Sequence, residues 1–409
     1  MGDVAMKPAR RITALVLLAG VFIMEGYDIN AMALAVPRLG DALGLEATSF
    51  GLVFTALLVG IGIGGAVLAP FGDRLGRRTL IVLGCLATGA FTLATSTATS
   101  TTEFLVWRGL TGIALGAALP NVSALSAELA PDRLRATIMA VVSAGIPLGL
   151  AIAGIMSPNV VAAAGWQGLF YVPGFFALLL AATLWLMLEG GAPAAKGGAK
   201  AARAPQIELF RMPWLIPFAI FAAMLSLNAM NLYLLNSWIP TVLPQAGFEQ
   251  DLADRISGVV QLAGLAIGVI ASFGIDRWRP SLTLLAMFGA MAACFLGVSL
   301  TAPDATRWTL LLCIGVGGAS AGGMALPALC VYLFTARLLS SAIGLGVMVA
   351  RIGAFAGPLV GQAILDAEAG PQAFFLAAAI PAALCAAVAL LVPMALRVKK
   401  QEAGAAAAV

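Results

Sequence analysis

Residues 12–36 read ITALVLLAGVFIMEGYDINAMALAV, a run in which only Glu25 and Asp28 carry charge. About 20 apolar residues suffice to cross the roughly 30 Å hydrocarbon core of a bilayer, so the run is long enough to be a membrane-spanning helix. Its two acids are what needs explaining. At the bilayer centre each costs about 2.5–3.5 kcal/mol on insertion scales, and such groups usually mark a proton or substrate pathway. Spaced i, i+3, Glu25 and Asp28 lie roughly 60° apart on one helical face and can point into the same cavity. A helix-packing pair or a misplaced membrane edge is the structural alternative. Apolar residues continuing on both sides argue against it.

The rest of the chain agrees with a membrane reading. Of 409 residues, 61% are hydrophobic and only 10% charged, with a mean hydropathy of +1.01, whereas soluble domains carry about 25% charged residues. The formal charge of +4 is spread over short loops and forms no basic stripe, which excludes a nucleic-acid partner. Cys85, Cys294, Cys313, Cys330 and Cys385 all lie in apolar segments without CxxC spacing and read as small buried hydrophobes. With no histidine in the chain, neither a metal site nor a cofactor is expected. Lys7, Arg10 and Arg11 precede the first apolar run as they would in a signal peptide. That run exceeds the usual h-region of about 7–15 residues, so a retained first helix is expected.

Twelve segments meet the length criterion: 12–36, 49–71, 79–97, 103–127, 136–162, 168–188, 213–240, 256–275, 281–301, 307–333, 339–365 and 371–395. The reading is an all-α polytopic membrane protein. Its expected divisions are a first six-helix bundle over 1–188, a basic Gly/Pro/Ala-rich linker over 189–212, and a second bundle with a short tail over 213–409. Of the 23 lysines and arginines, 18 fall on the side of the N-terminus, 3 on the opposite side, and Arg108 and Arg351 within spans. Positively charged loops stay inside, which places both termini and the linker in the cytoplasm. The halves also echo each other. Asp73-Arg74 recurs as Asp276-Arg277 at an offset of 203, and Gly116-Ala-Ala-Leu-Pro120 recurs as Gly323-Met-Ala-Leu-Pro327 at an offset of 207. A repeat of half the chain suits a transporter of two pseudo-symmetric bundles.

These residues resemble the major facilitator superfamily and, more closely, its aromatic acid/proton symporter family. Gly72-Asp73-Arg74-Leu75-Gly76-Arg77-Arg78 is similar to the superfamily's signature between its second and third helices, with Ala69 where a glycine is usual. Glu25-Gly-Tyr-Asp28 resembles the narrower family's Asp-Gly-Phe-Asp box. Arg108 to Asn121, Ser237-Trp238-Ile-Pro240 and Ala350-Arg351-Ile-Gly353-Ala resemble its fourth, seventh and eleventh helices. The resemblance implies alternating access between the two bundles. It also implies a cytoplasmic latch built from Asp73, Arg74, Gly76, Arg77, Arg78, Asp276 and Arg277.

The in-span acids Glu25 and Asp28 and the in-span bases Arg108 and Arg351 balance, as expected if they neutralise one another around a cavity. Asp28 is the first choice for proton coupling, with Glu25 as its neighbour and Arg108 as the group that holds Asp28 charged or releases it. Arg351, close to mid-span, matches a carboxylate bidentately, so it binds either a carboxylate substrate or a structural partner. Asn228, Asn231 and Tyr27 are candidates for the body of the substrate. Trp238 reads either as a stacking surface or as an interfacial-belt residue, and Asn121 either lines the cavity or satisfies carbonyls beside Pro120. The expected function is proton-coupled import of a small, aromatic carboxylate across a bacterial-type inner membrane by a monomer. Its partners are the acid, protons and the lipid bilayer. Proton-coupled efflux and a transport-inactive receptor are the rivals, and no nucleophile and base are arranged for an enzyme.

Overall fold

A computed structural model describes residues 8–131, 134–188 and 206–407. Twelve helices in it are long and apolar enough to cross a membrane: α1 Arg10–Leu43, α2 Ala47–Leu75, α3 Arg77–Thr95, α4 Thr101–Leu129, α5 Thr137–Ala164, α6 Gly168–Met187, α7 Leu215–Gln245, α8 Gln250–Arg277, α9 Pro280–Leu300, α10 Ala305–Leu333, α11 Arg337–Asp366 and α12 Gly370–Ala389. A further helix, α13, covers Val392–Ala407. There is no strand among the described residues. Helices close every backbone hydrogen bond within one segment, which is what a span through hydrocarbon requires.

Several boundaries differ from those read in the sequence. The first helix runs through Pro37 to Leu43 instead of stopping at Val36; Arg38 folds back on it, donating from Nη1 to the Leu34 carbonyl at 2.7 Å. The eighth starts at Gln250 instead of 256, bringing Asp251, Asp254 and Arg255 into its opening turns. The stretch expected as one segment over 371–395 breaks at Leu390–Leu391 into α12 and α13. Pro393, in the first turn of α13, suits a helix start and cannot continue the preceding helix.

The chain forms two compact units, residues 1–197 with 254–258 and residues 198–253 with 259–409. Of the expected linker, 189–205 lies outside the described residues, and Gln206–Phe210 forms a short 3-10 turn. In the first unit α1 packs on α5 and α6, α2 on α4, and α3 on α4 and α6. In the second unit α7 packs on α11 and α12, and α9 on α10 and α12, which repeats four of those five pairings with each helix number raised by six. Glycines permit the closest of these contacts. A Cβ on Gly26 of α1 would collide with the Ile146 carbonyl of α5, and one on Gly353 of α11 would collide with the Ser226 carbonyl of α7.

The second helix is not regular. Its α-helical part, Gly51–Ile63, passes into a π turn over Gly64–Leu68, a 3-10 turn over Ala69–Phe71 and a last helical turn over Gly72–Leu75. Pro70 removes a backbone donor at this point, and the Asn121 side chain of α4 donates to the Ala69 carbonyl at 3.1 Å. Gly76, at φ 89°, then turns the chain into α3 through a conformation that side chains other than glycine resist.

Candidate functional site

In the first unit the residues singled out on α1 and α4 meet. Asp28, Arg108 and Thr92 of α3 are all fully buried. Arg108 Nη1 donates to Asp28 Oδ1 at 2.9 Å, Arg108 Nη2 donates to the Asp28 backbone carbonyl at 3.0 Å, and Thr92 Oγ1 donates to Asp28 Oδ1 at 2.9 Å. The pair survives burial because each charge gains additional hydrogen bonds. It is not saturated. Asp28 Oδ2 and Arg108 Nε are buried with no hydrogen-bond partner among the described residues. Glu25, one turn away, is 5% exposed, and the Tyr27 hydroxyl is buried without a hydrogen-bond partner. Gly26 sits between Glu25 and Tyr27 because α5 leaves room for no side chain there.

In the second unit Arg351 is half-buried in the middle of α11, with neither a hydrogen bond nor an ion pair to any described residue. The amides of α7 are engaged with backbone. Asn228 Nδ2 donates to the Ala319 carbonyl of α10 at 3.1 Å, and Asn231 Nδ2 donates to the Ala378 carbonyl of α12 at 2.9 Å. Their side-chain oxygens remain buried and unpartnered. Trp238 is fully buried, not part of a lipid-facing belt, and its Nε1 donates to the Pro358 carbonyl of α11 at 2.9 Å.

A second polar group in this unit is centred on a residue not singled out in the sequence. Gln261 of α8, 2% exposed, donates from Nε2 to Asn236 Oδ1 of α7 at 2.9 Å and accepts from Ser320 Oγ of α10 at 2.8 Å. The signal was available, since Gln261 interrupts an otherwise apolar run from Val259 to Ala271. Asp254 was also overlooked. Residues 254–258 belong to the first unit, where the fully buried Asp254 accepts from Arg38 Nη2 at 2.7 Å and from Ser157 Oγ at 2.7 Å.

The loop before α3 gathers several of the expected latch residues. Arg77 pairs with Glu128 at 2.7 Å and with Asp73 at 3.5 Å. The Arg74 guanidinium lies 6.0 Å from the Phe71 ring centroid, and Arg78 donates to the Trp185 carbonyl of α6. In the second copy Asp276 accepts from the Tyr332 hydroxyl at 2.7 Å, while Arg277 is exposed at the end of α8. Asn121 bridges helices: besides Ala69 it donates to the Ala117 carbonyl at 2.9 Å, and a Cβ on Gly72 would overlap its side-chain oxygen. Among the described residues no group of three or more His, Cys, Asp or Glu side chains could hold a metal ion.

Residues 16–358 match the profile of the Major Facilitator Superfamily. Among similar proteins, the gallate transporter of Pseudomonas putida is 28% identical, with 92% of this chain and 90% of that protein covered. The 4-hydroxybenzoate transporter PcaK of the same organism is 29% identical over 89% and 88% of the two chains. The 3-(3-hydroxy-phenyl)propionate transporter of Escherichia coli (strain K12) is 28% identical over 93% of each. Solved structures share the fold: a bacterial homologue of the human lysosomal transporter Spinster has a TM-score of 0.77 at 16% identity, covering 97% of this chain and 98% of that one. A D-xylose-proton symporter has a TM-score of 0.72 at 18% identity, covering 93% and 96%.

Proposed function

The chain belongs to the major facilitator superfamily, a superfamily of multi-pass membrane transporters, and on that premise we propose that it imports small aromatic carboxylates together with protons. Arg351 carries the proposal. An arginine in mid-span that bonds to no described residue is a costly group to maintain, and its planar fork of donors suits a carboxylate. The relatives named for gallate, 4-hydroxybenzoate and hydroxyphenylpropionate transport handle ring-bearing acids of this kind. Gln261, Asn236 and Ser320 supply hydroxyl-binding chemistry in the same unit as Arg351, suited to a ring hydroxyl.

Asp28 is the proposed coupling site. Its free Oδ2 is the atom that would take the proton, and protonation removes the Coulomb attraction that ties Arg108 to Asp28. Arg108 then becomes able to turn elsewhere. Two protons entering with one monoanion carry a net positive charge inward, worth about 2.3 kcal/mol per 100 mV of membrane potential. The protein is proposed to act as a monomer in a bacterial-type inner membrane with both termini cytoplasmic, as the distribution of basic residues supports. Asp73, Arg74, Gly76, Arg77 and Arg78, with Asp276 and Arg277, are proposed as the latch. Asn228, Asn231, Tyr27, Asn121 and Trp238 are proposed to shape the pathway from behind their helix contacts.

Uptake into proteoliposomes tests the reading. With an inward proton gradient, labelled 4-hydroxybenzoate should accumulate above its outside concentration, and a protonophore should abolish that accumulation. Binding without gradient-dependent accumulation would identify a receptor. Gradient-driven movement of substrate against the proton would identify an efflux antiporter.

A further inference from the structure

At the end of α3 that carries its arginines, an apolar groove of about 500 Å³ lies between α3 and α6, lined by Val82, Leu83, Leu86 and Ala182, with Thr79 and Trp185 at its mouth. Leu83, Leu86 and Trp185 are 52%, 42% and 54% exposed, so the groove opens outward, away from the core of its unit. On a membrane-spanning helix, outward means acyl chains. From Thr79 to Leu86 the groove runs roughly 10 Å along the helix axis, about a third of the hydrocarbon thickness. Apolar walls alone would accept the tail of any lipid.

The mouth is more selective. The Arg78 guanidinium lies over the Trp185 ring, 4.5 Å from its centroid, and donates to the Trp185 carbonyl. Its Nε is buried with no hydrogen-bond partner. Whereas the neighbouring Arg77 is balanced by Asp73 and Glu128, no carboxylate among the described residues pairs with Arg78. A fixed, unbalanced guanidinium therefore stands beside a tryptophan at the membrane edge, above a slot for a hydrocarbon chain. Arginines at such positions attract anionic headgroups, and tryptophan marks headgroup depth.

We propose that the α3/α6 groove binds one anionic phospholipid, its phosphate held by Arg78 and the Thr79 hydroxyl and one acyl chain lying along Leu83 and Leu86. The second unit supplies a built-in comparison. A groove of about 470 Å³ between α8 and α9, with Ile270, Met287 and Trp278 among its lining, has no described cation stacked on its tryptophan. It should take lipid tails without preference for the headgroup.

Native mass spectrometry of the full chain, incubated with equimolar phosphatidylglycerol and phosphatidylethanolamine of identical chains, tests the site. Wild-type protein should retain phosphatidylglycerol in preference by about fivefold, the value of one arginine near an anionic surface. Arg78→Gln should bring the two lipids to parity, and Ala182→Trp, which fills the groove, should remove one retained lipid. Met287→Trp, in the other groove, should leave the preference intact. Thermal unfolding in detergent checks folding independently: phosphatidylglycerol should raise the midpoint of the wild type and not that of Arg78→Gln. Parity in the wild type, or an undiminished preference in either Arg78→Gln or Ala182→Trp, would overturn the proposal.

Discussion

Replacing Asp28 by asparagine removes a charge and little else. The amide oxygen can still accept from Arg108 and Thr92 at their present 2.9 Å, and the Asp28 carbonyl still holds Arg108 Nη2 at 3.0 Å. What changes is that Arg108, fully buried, loses its counter-charge. Stripping one partner from a buried pair typically costs about 3–5 kcal/mol. Because three hydrogen bonds persist, the lower end applies, and about 3 kcal/mol is roughly a hundredfold in an equilibrium. The Asp28→Asn/Arg108→Gln double variant leaves no stranded charge and should recover about 2 kcal/mol or more of that loss, a coupling within the range for residues in one network. Reversible unfolding in detergent measures the cycle. In proteoliposomes Asp28→Asn should lose accumulation driven by an inward proton gradient while retaining part of its substrate counterflow, which needs no net proton movement. Wild-type accumulation in Asp28→Asn would refute Asp28 as the coupling site. Additive unfolding energies in the cycle would refute the pair as one unit.

Other outcomes follow from the same contacts. Arg351→Lys should weaken carboxylate affinity by about tenfold or more, the loss of one charge-assisted hydrogen bond, measured by calorimetry; unchanged affinity would return Arg351 to a structural role. Gln261→Leu should reduce the preference for 4-hydroxybenzoate over benzoate by about tenfold, read from competition in counterflow, because the hydroxyl-binding amide is gone. Gly72→Ala places a methyl against Asn121 and should destabilise by about 1–3 kcal/mol, seen as a lower unfolding midpoint that Gly72→Ala/Asn121→Ala partly restores.

The twelve spans were legible because a bilayer imposes a length and a polarity that leave a mark in composition alone. What sits beside what within a unit was less so. The meeting of Asp28 with Arg108 could be argued from charge balance, but the third member, Thr92, is one of many threonines and has no distinguishing signal. Arg38 and Asp254 lie 216 positions apart; each looked like a loop residue at a membrane edge, because only the fold brings them together and lets a charge be buried. Trp238 illustrates a different limit. An indole near a helix end has the same sequence signature whether it faces lipid or a neighbouring helix, and Gly361, where a Cβ would strike the indole, is what gives it room on α11. Asn228 and Asn231 could be recognised as hydrogen-bonding amides inside a membrane, yet nothing in their identity tells whether the partner is a ring hydroxyl or a helix carbonyl.

The wide turn at Gly64–Leu68 has a meaning for how this chain can change length. In a regular helix one extra residue rotates everything beyond it by about 100°, which in a membrane span would swing apolar side chains inward and the Asp73 loop out of register. A π turn takes up such a residue locally. Gly60 keeps its facing toward α4 on one side of it, and Arg77 keeps its reach to Glu128 on the other. The second helix thus has its slack in one place, and removing one residue there is a deletion that an ordinary turn could take up while both ends point as they do now.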